Sequence, residues 1–137
     1  MSSSKQTFVI ACIHAFFTFQ QNVKIYHWQT KSYARHKATD GFLAAFLLLI
    51  DQMIEVLLGA YPEVKSTLSS SLSSMPIVIQ KMVESEKDDD TIVMMAKELI
   101  QNLKNFESKG LTQSSVLNIR DSMVADIQQM LYLFGFQ

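Results

Sequence analysis

Apolar side chains recur at three- and four-residue intervals along most of the chain, and the pattern divides it into helices. Phe8, Cys12, Ala15, Phe16, Phe19, Val23, Tyr26 and His27 share one face of a helix predicted over about residues 5–30, with Ser2–Ser4 available to cap it. Thr30–Ala34 reads as a short turn. A second helix is expected from about Arg35 to Ala60, stopped by Gly59 and by Pro62 just beyond. Residues 65–75 are serine-rich and read as a loop, after which Pro76 opens a short amphipathic helix over Ile77–Glu86. Asp88–Asp90 cap a third long helix reaching about Ser108, with Ile92, Met95, Ala96, Leu99, Leu103 and Phe106 inward and Gly110 closing it. Thr112 or Ser114 starts a fourth, carrying Val116, Ile119, Met123, Ile127, Met130, Leu131 and Phe134.

Two helices joined tightly, a long link, then two more joined tightly is the order of an all-α four-helix bundle with one crossover, and the ferritin-like topology has that crossover. Length and composition agree: 137 residues suit a single domain spanning 1–137, and four glycines and two prolines are too few for a turn-rich β fold. The single Cys12 excludes an internal disulfide and favours a reducing, cytoplasmic compartment. Net charge is −1 but unevenly spread, since Lys5, Lys24, Lys31, Arg35 and Lys37 precede every acidic residue. That asymmetry can steer ligands or set subunit contacts and is not a nucleic-acid footprint. His14 interrupts the apolar run Phe8–Phe19 and no small-residue cleavage site follows, which argues against a signal peptide. The uncharged run 41–50 is too short to cross a bilayer before Asp51, so a soluble protein with no membrane partner is expected.

Chemistry concentrates between His27 and Glu55. The order is His27-Trp28, a turn, His36-x-x-x-Asp40, an uncharged stretch, then Asp51-x-x-x-Glu55. Asp51 and Glu55 are the only charges between Gly41 and Ala60. A carboxylate taken out of water in such surroundings needs a counter-charge, because an unpaired buried ion costs several kcal/mol. Histidines and carboxylates at helical spacing point to a metal as that counter-charge, and imidazole with carboxylate suits iron, zinc or manganese better than calcium or magnesium.

One chain cannot close the site. His36, Asp40, Asp51 and Glu55 fall within about 100° of one helix face, yet Asp40 and Asp51 lie about 16 Å apart along the axis. Metal–ligand bonds are near 2 Å, so each pair is half a site. An antiparallel copy of the same helix across a two-fold axis brings His36 and Asp40 of one chain to Asp51 and Glu55 of the other, and Ala44 and Ala45 are small enough for close approach. His27 returns across the turn beside His36.

His-Trp at the end of one helix followed by His-x₃-Asp-x₁₀-Asp-x₃-Glu along the next resembles the Dps-type mini-ferritins. The resemblance is tight over residues 27–55 and extends to topology elsewhere. It implies a ferroxidase site shared between two subunits, with Asp51 and Glu55 as the main iron ligands and His27, His36 and Asp40 completing the site from the partner. It further implies Trp28 close by as a sink for oxidising equivalents, a homodimer built up to a dodecameric cage, and oxidation of Fe²⁺ by peroxide or oxygen for storage. Tyr26-His27-Trp28-Gln29-Thr30 is also similar to ferritin-like proteins of large DNA viruses, which would place the chain in a virion or host cytoplasm. The turn between the histidines is shorter than in the Dps type, and neither end has the lysine-rich tail with which some members coat DNA, so DNA binding is not expected.

Plainer roles compete with each of these. Asp51 and Glu55 could pair with Arg35 or Lys37 at an interface, and the whole chain could be a non-catalytic ferritin-like scaffold or virion component. His14 lies off the face of His27 and is expected to be structural or exposed, Cys12 a small core residue, Trp28 a packing residue, and Asp121 and Asp126 solvated.

Overall fold

A computed structural model describes residues 3–136, and all regular structure among them is helical. Six α-helices follow one another: α1 (Ser3–Gln29), α2 (Tyr33–Ala60), α3 (Pro62–Lys65), α4 (Leu68–Leu72), α5 (Thr91–Lys104) and α6 (Ser114–Leu133), with a 3₁₀ turn at Glu107–Lys109. Ser2 of the expected first cap lies outside the described residues. The Ser32 hydroxyl caps α2 by accepting from the Arg35 N–H at 3.2 Å, which satisfies one of the donors a helix start leaves orphaned. Gly110, at φ 89°, turns the chain after the 3₁₀ segment in the left-handed region that side chains disfavour.

The four long helices pack in a ring: α1 against α2 and α5, α6 against α2 and α5. Phe16, Phe46, Met53, Leu57, Ile92, Leu103, Met123 and Ile127 are among the fully buried side chains at its centre. Each contributes about 1.5–3 kcal/mol by leaving water. Phe19 meets Phe42 and Phe46 edge-on at 5.9 and 6.0 Å, locking α1 to α2. The face α2 gives to this core is Ala38, Thr39, Phe42, Phe46, Ile50, Met53 and Leu57.

The crossover departs from expectation. Residues 65–75, read as a loop, hold the short helix α4, and the stretch read as a helix over Ile77–Glu86 has no helix, residues 76–85 carrying no regular secondary structure. Three consecutive β-branched residues, Ile77-Val78-Ile79, disfavour a helix, and α1 with the link after it supplies the partners that a non-helical backbone needs. The fully buried Asn22 donates to the Val78 carbonyl at 3.0 Å and accepts from the Gln80 N–H at 2.8 Å. One end of the strap is held by His14 Nε2, which donates to the Pro76 carbonyl at 2.9 Å. At the other, Glu84 accepts from the Thr30 hydroxyl and from the Lys31 N–H. His14 and Asn22 in α1 and Thr30 just past its end are eight residues apart, about 80° round the helix axis at each step, so the three pegs wind round the helix rather than lining one stripe.

Two ion pairs fix helix ends. Arg35 Nη1 donates to Asp90 at 2.6 Å and to the Tyr26 hydroxyl at 2.9 Å, and Asp90 caps α5 by accepting from Val93 N–H. Arg120 grips both Glu107 oxygens at 2.7 and 3.0 Å and donates to the Leu103 carbonyl in the last turn of α5. Arg120 is the first cause of the Glu107 carboxyl's fall to about 2.

Candidate metal site at the α1–α2 corner

His27 stands in the last turn of α1 and His36 in the first turn of α2, and the short link between them stacks the two rings. Their centroids are 4.1 Å apart and their planes 14° from parallel. Hydrogen bonds then settle which nitrogen of each ring carries the proton. His36 Nδ1 lies 2.9 Å from the His27 carbonyl oxygen, which can only accept, so His36 is the Nδ1–H tautomer. That carbonyl is free for it because the Lys31 N–H, its helical partner by position, turns to Glu84 instead.

His27 Nδ1 lies 2.8 Å from the hydroxyl oxygen of buried Thr39. The same hydroxyl is 2.8 Å from the Arg35 carbonyl and 3.1 Å from the His36 carbonyl. Two oxygens at such a separation need a proton between them, and only the hydroxyl has one to give. Thr39 therefore donates to the backbone and accepts from His27 Nδ1–H. Both imidazoles spend Nδ1 on protein acceptors and keep the Nε2 lone pair for another partner. This is the arrangement in which histidines bind metals, with the second nitrogen anchored by a hydrogen bond.

Beyond His36, one stripe of α2 faces outward. Asp40, Ala44, Leu47, Leu48, Asp51 and Glu55 are all exposed, Leu48 by 73%. Asp51 and Glu55 thus stand in solvent in the single chain and need no counter-charge there. Among the described residues, no three or more His, Cys, Asp or Glu side chains converge on one point. The structure joins His27 to His36 and leaves Asp51 and Glu55 further along the same helix. Arg35, a rival partner for those carboxylates, is already engaged by Asp90 within its own chain.

Several other expectations shift. Trp28 is 66% exposed rather than packed, with Lys24 Nζ 5.8 Å from its ring centre. Asp126 is half-buried in a cleft of about 210 Å³ between α2 and α6, and burial raises its carboxyl above the usual range. Asp121 is exposed, as expected, and also pairs with Arg120. Burial pushes the Cys12 thiol up to about 12, which fits an inert core residue. Thr39 was missed from the sequence. Its signal was available: a hydroxyl in the buried stripe Ala38–Phe42–Phe46, one turn beyond His36 and level with the end of α1.

Fold and site together define an all-helical protein with an anchored imidazole pair at one helix corner and a carboxylate-bearing apolar stripe beside it. The chain belongs to a family of unknown function, DUF5856, which matches residues 27–134 and so includes all five candidate ligands. No curated protein and no solved structure matches it.

Proposed function

We propose that the protein is a ferritin-like mini-ferritin of the Dps type, which binds Fe²⁺ at sites shared between two subunits and oxidises it with peroxide or oxygen. The observation that carries this is the stacked His27–His36 pair, with both Nδ1 atoms tied back and both Nε2 atoms free. The ring of four long helices with a single long crossover is what a ferritin-like bundle requires.

The outward stripe of α2 supplies the rest. By length and composition α2 is long and apolar enough to cross a membrane, and only 28% of its most apolar window is buried within the chain. A bilayer is a poor match for a stripe that also carries His36, Asp40, Asp51 and Glu55. A second α2 lying antiparallel is a good one: Ala44 and Ala45 allow close approach, and each half-site finds its complement. His27, His36 and Asp40 of one subunit would then hold iron together with Asp51 and Glu55 of the other, giving two equivalent sites per dimer.

Carboxylate ligands favour Fe³⁺ over Fe²⁺ and so assist the loss of an electron. Two Fe²⁺ ions release two electrons, and one peroxide takes them with two protons to give two waters. Stopped-flow oxidation of Fe²⁺ by metal-free protein, with peroxide and oxygen compared against buffer, tests the proposal. Turnover that saturates at a small number of irons per dimer supports it. A rate equal to buffer rejects it and leaves a ferritin-shaped scaffold.

A further inference from the structure

On the footing of that function, we propose that Thr39 is a positioning residue that fixes His27 in its Nδ1–H tautomer and so keeps the His27 Nε2 lone pair available to a metal ion. His27 and Thr39 come from different helices, and nothing in the first helix alone chooses between the two tautomers of its terminal imidazole. Thr39 makes the choice because its own proton is already committed. Its hydroxyl sits 2.8 Å from the Arg35 carbonyl, which leaves only lone pairs for His27 Nδ1 at 2.8 Å. Full burial and the contacts to the Arg35 and His36 carbonyls hold that hydroxyl in one orientation.

His36 is governed separately, by the His27 backbone carbonyl, so the two rings reach the same tautomer by independent contacts. Of these anchors, Thr39 alone is a side chain that can be replaced without removing a proposed ligand. Valine has nearly its shape and neither donates nor accepts, whereas serine keeps the hydroxyl.

The test uses the ¹⁵N-labelled, metal-free, full-length protein and long-range ¹H–¹⁵N correlation spectra at a pH of about 8.5, above the ordinary imidazole range. His14 is a built-in control, because its Nε2 donates to the Pro76 carbonyl and its tautomer is therefore the opposite one. The expected wild-type result is Nδ1–H for His27 and His36 and Nε2–H for His14. Thr39→Val is expected to shift His27 towards Nε2–H while His36 keeps its state, and Thr39→Ser to restore the wild-type spectrum. Anaerobic titration with Co²⁺ should then show affinity about 10- to 100-fold weaker in Thr39→Val, with Thr39→Ser near wild type. An Nε2–H His27 in the wild type, or an unchanged His27 in Thr39→Val, overturns the role given to Thr39. So does a tautomer shift that leaves Co²⁺ affinity unaltered. A wild type that shows the expected tautomers yet takes up no Co²⁺ overturns the proposed function instead, and leaves Thr39 as the residue that sets the ring.

Discussion

The rings of His27 and His36 lie 4.1 Å apart and nearly parallel, although one ends α1 and the other begins α2. His36 does two things there. It offers Nε2 outward, and its Nδ1–H occupies a carbonyl at the end of α1. His36→Ala should therefore abolish Co²⁺ binding and also lower stability by about 1 kcal/mol, the net worth of a typical hydrogen bond. Thermal unfolding beside metal titration separates the two losses. Unchanged Co²⁺ affinity in His36→Ala would remove His36 from the ligand set.

A site divided between subunits has a signature that a site within one chain lacks. Asp51→Asn and His36→Ala are each expected to lose Fe²⁺ oxidation. Unfolded together and refolded as a mixture, they should recover roughly a quarter of wild-type activity, because half the dimers are mixed and each of those holds one intact site. No recovery from folded, dimeric mixtures would reject the shared site.

The outward stripe of α2 should be where two copies meet. Leu48, 73% exposed in the single chain, would be buried in that contact, so Leu48→Glu should yield monomers. Sedimentation measures this directly. Because Leu48 packs little against its own chain, the variant's monomer should keep the wild-type helix content. A dimer undisturbed by the substitution would move the interface elsewhere.

How much of this was legible beforehand follows from which interactions are local. The long helices were, since Pro62, Asp90 and Gly110 act within a turn of where they stand, although Gly59, read as a stop, lies inside α2. So was the pairing of His27 with His36, which needs only a short link between two helices. The strap was not. Its apolar spacing suits a helix, and an irregular path wins because Asn22, 56 residues earlier, meets its backbone. Thr39 was legible only as a hydroxyl in a buried stripe, and its part in the site depends on a ring brought in from another helix. Asp51 and Glu55 were read as short of a counter-charge, and one chain leaves them in water, so that need would arise only in the proposed dimer.

Acid should loosen the fold along a predictable limb. Arg120 holds the Glu107 carboxyl down to about 2. Glu84 is also lowered: its burial acts the other way, and hydrogen bonds from Thr30, Tyr26 and the Lys31 N–H outweigh it. For a carboxyl whose folded value is depressed, the unfolded chain binds the proton first, so stability falls as pH drops from about 5 towards 2. Glu107→Gln removes part of this dependence. Its melting temperature should fall less than that of the wild type between neutral pH and pH 3, and parallel curves would mean that the Arg120–Glu107 contact is not formed in solution.

Asn22 is the central peg of the strap. Asn22→Leu leaves the Val78 carbonyl and the Gln80 N–H without their partner, at a cost of about 1–3 kcal/mol where those groups stay out of water. Limited proteolysis should then cut between residues 76 and 85 faster than in the wild type. Cleavage at the wild-type rate would show that the end contacts through His14 and Thr30 suffice.

The crowding of roles onto α2 constrains how such a chain can change. One side of the helix fills the interior through Phe42, Phe46, Ile50, Met53 and Leu57, and the other bears the proposed ligands and the proposed partner face. Few of its 28 residues are left with nothing to lose. Freedom to vary should therefore gather in the exposed serines of Ser66–Ser74 and on the outward sides of α5 and α6. A random substitution library scored for folded, assembled protein would read as a nearly blank band over α2, bordered by permissive ground on the far side of the bundle.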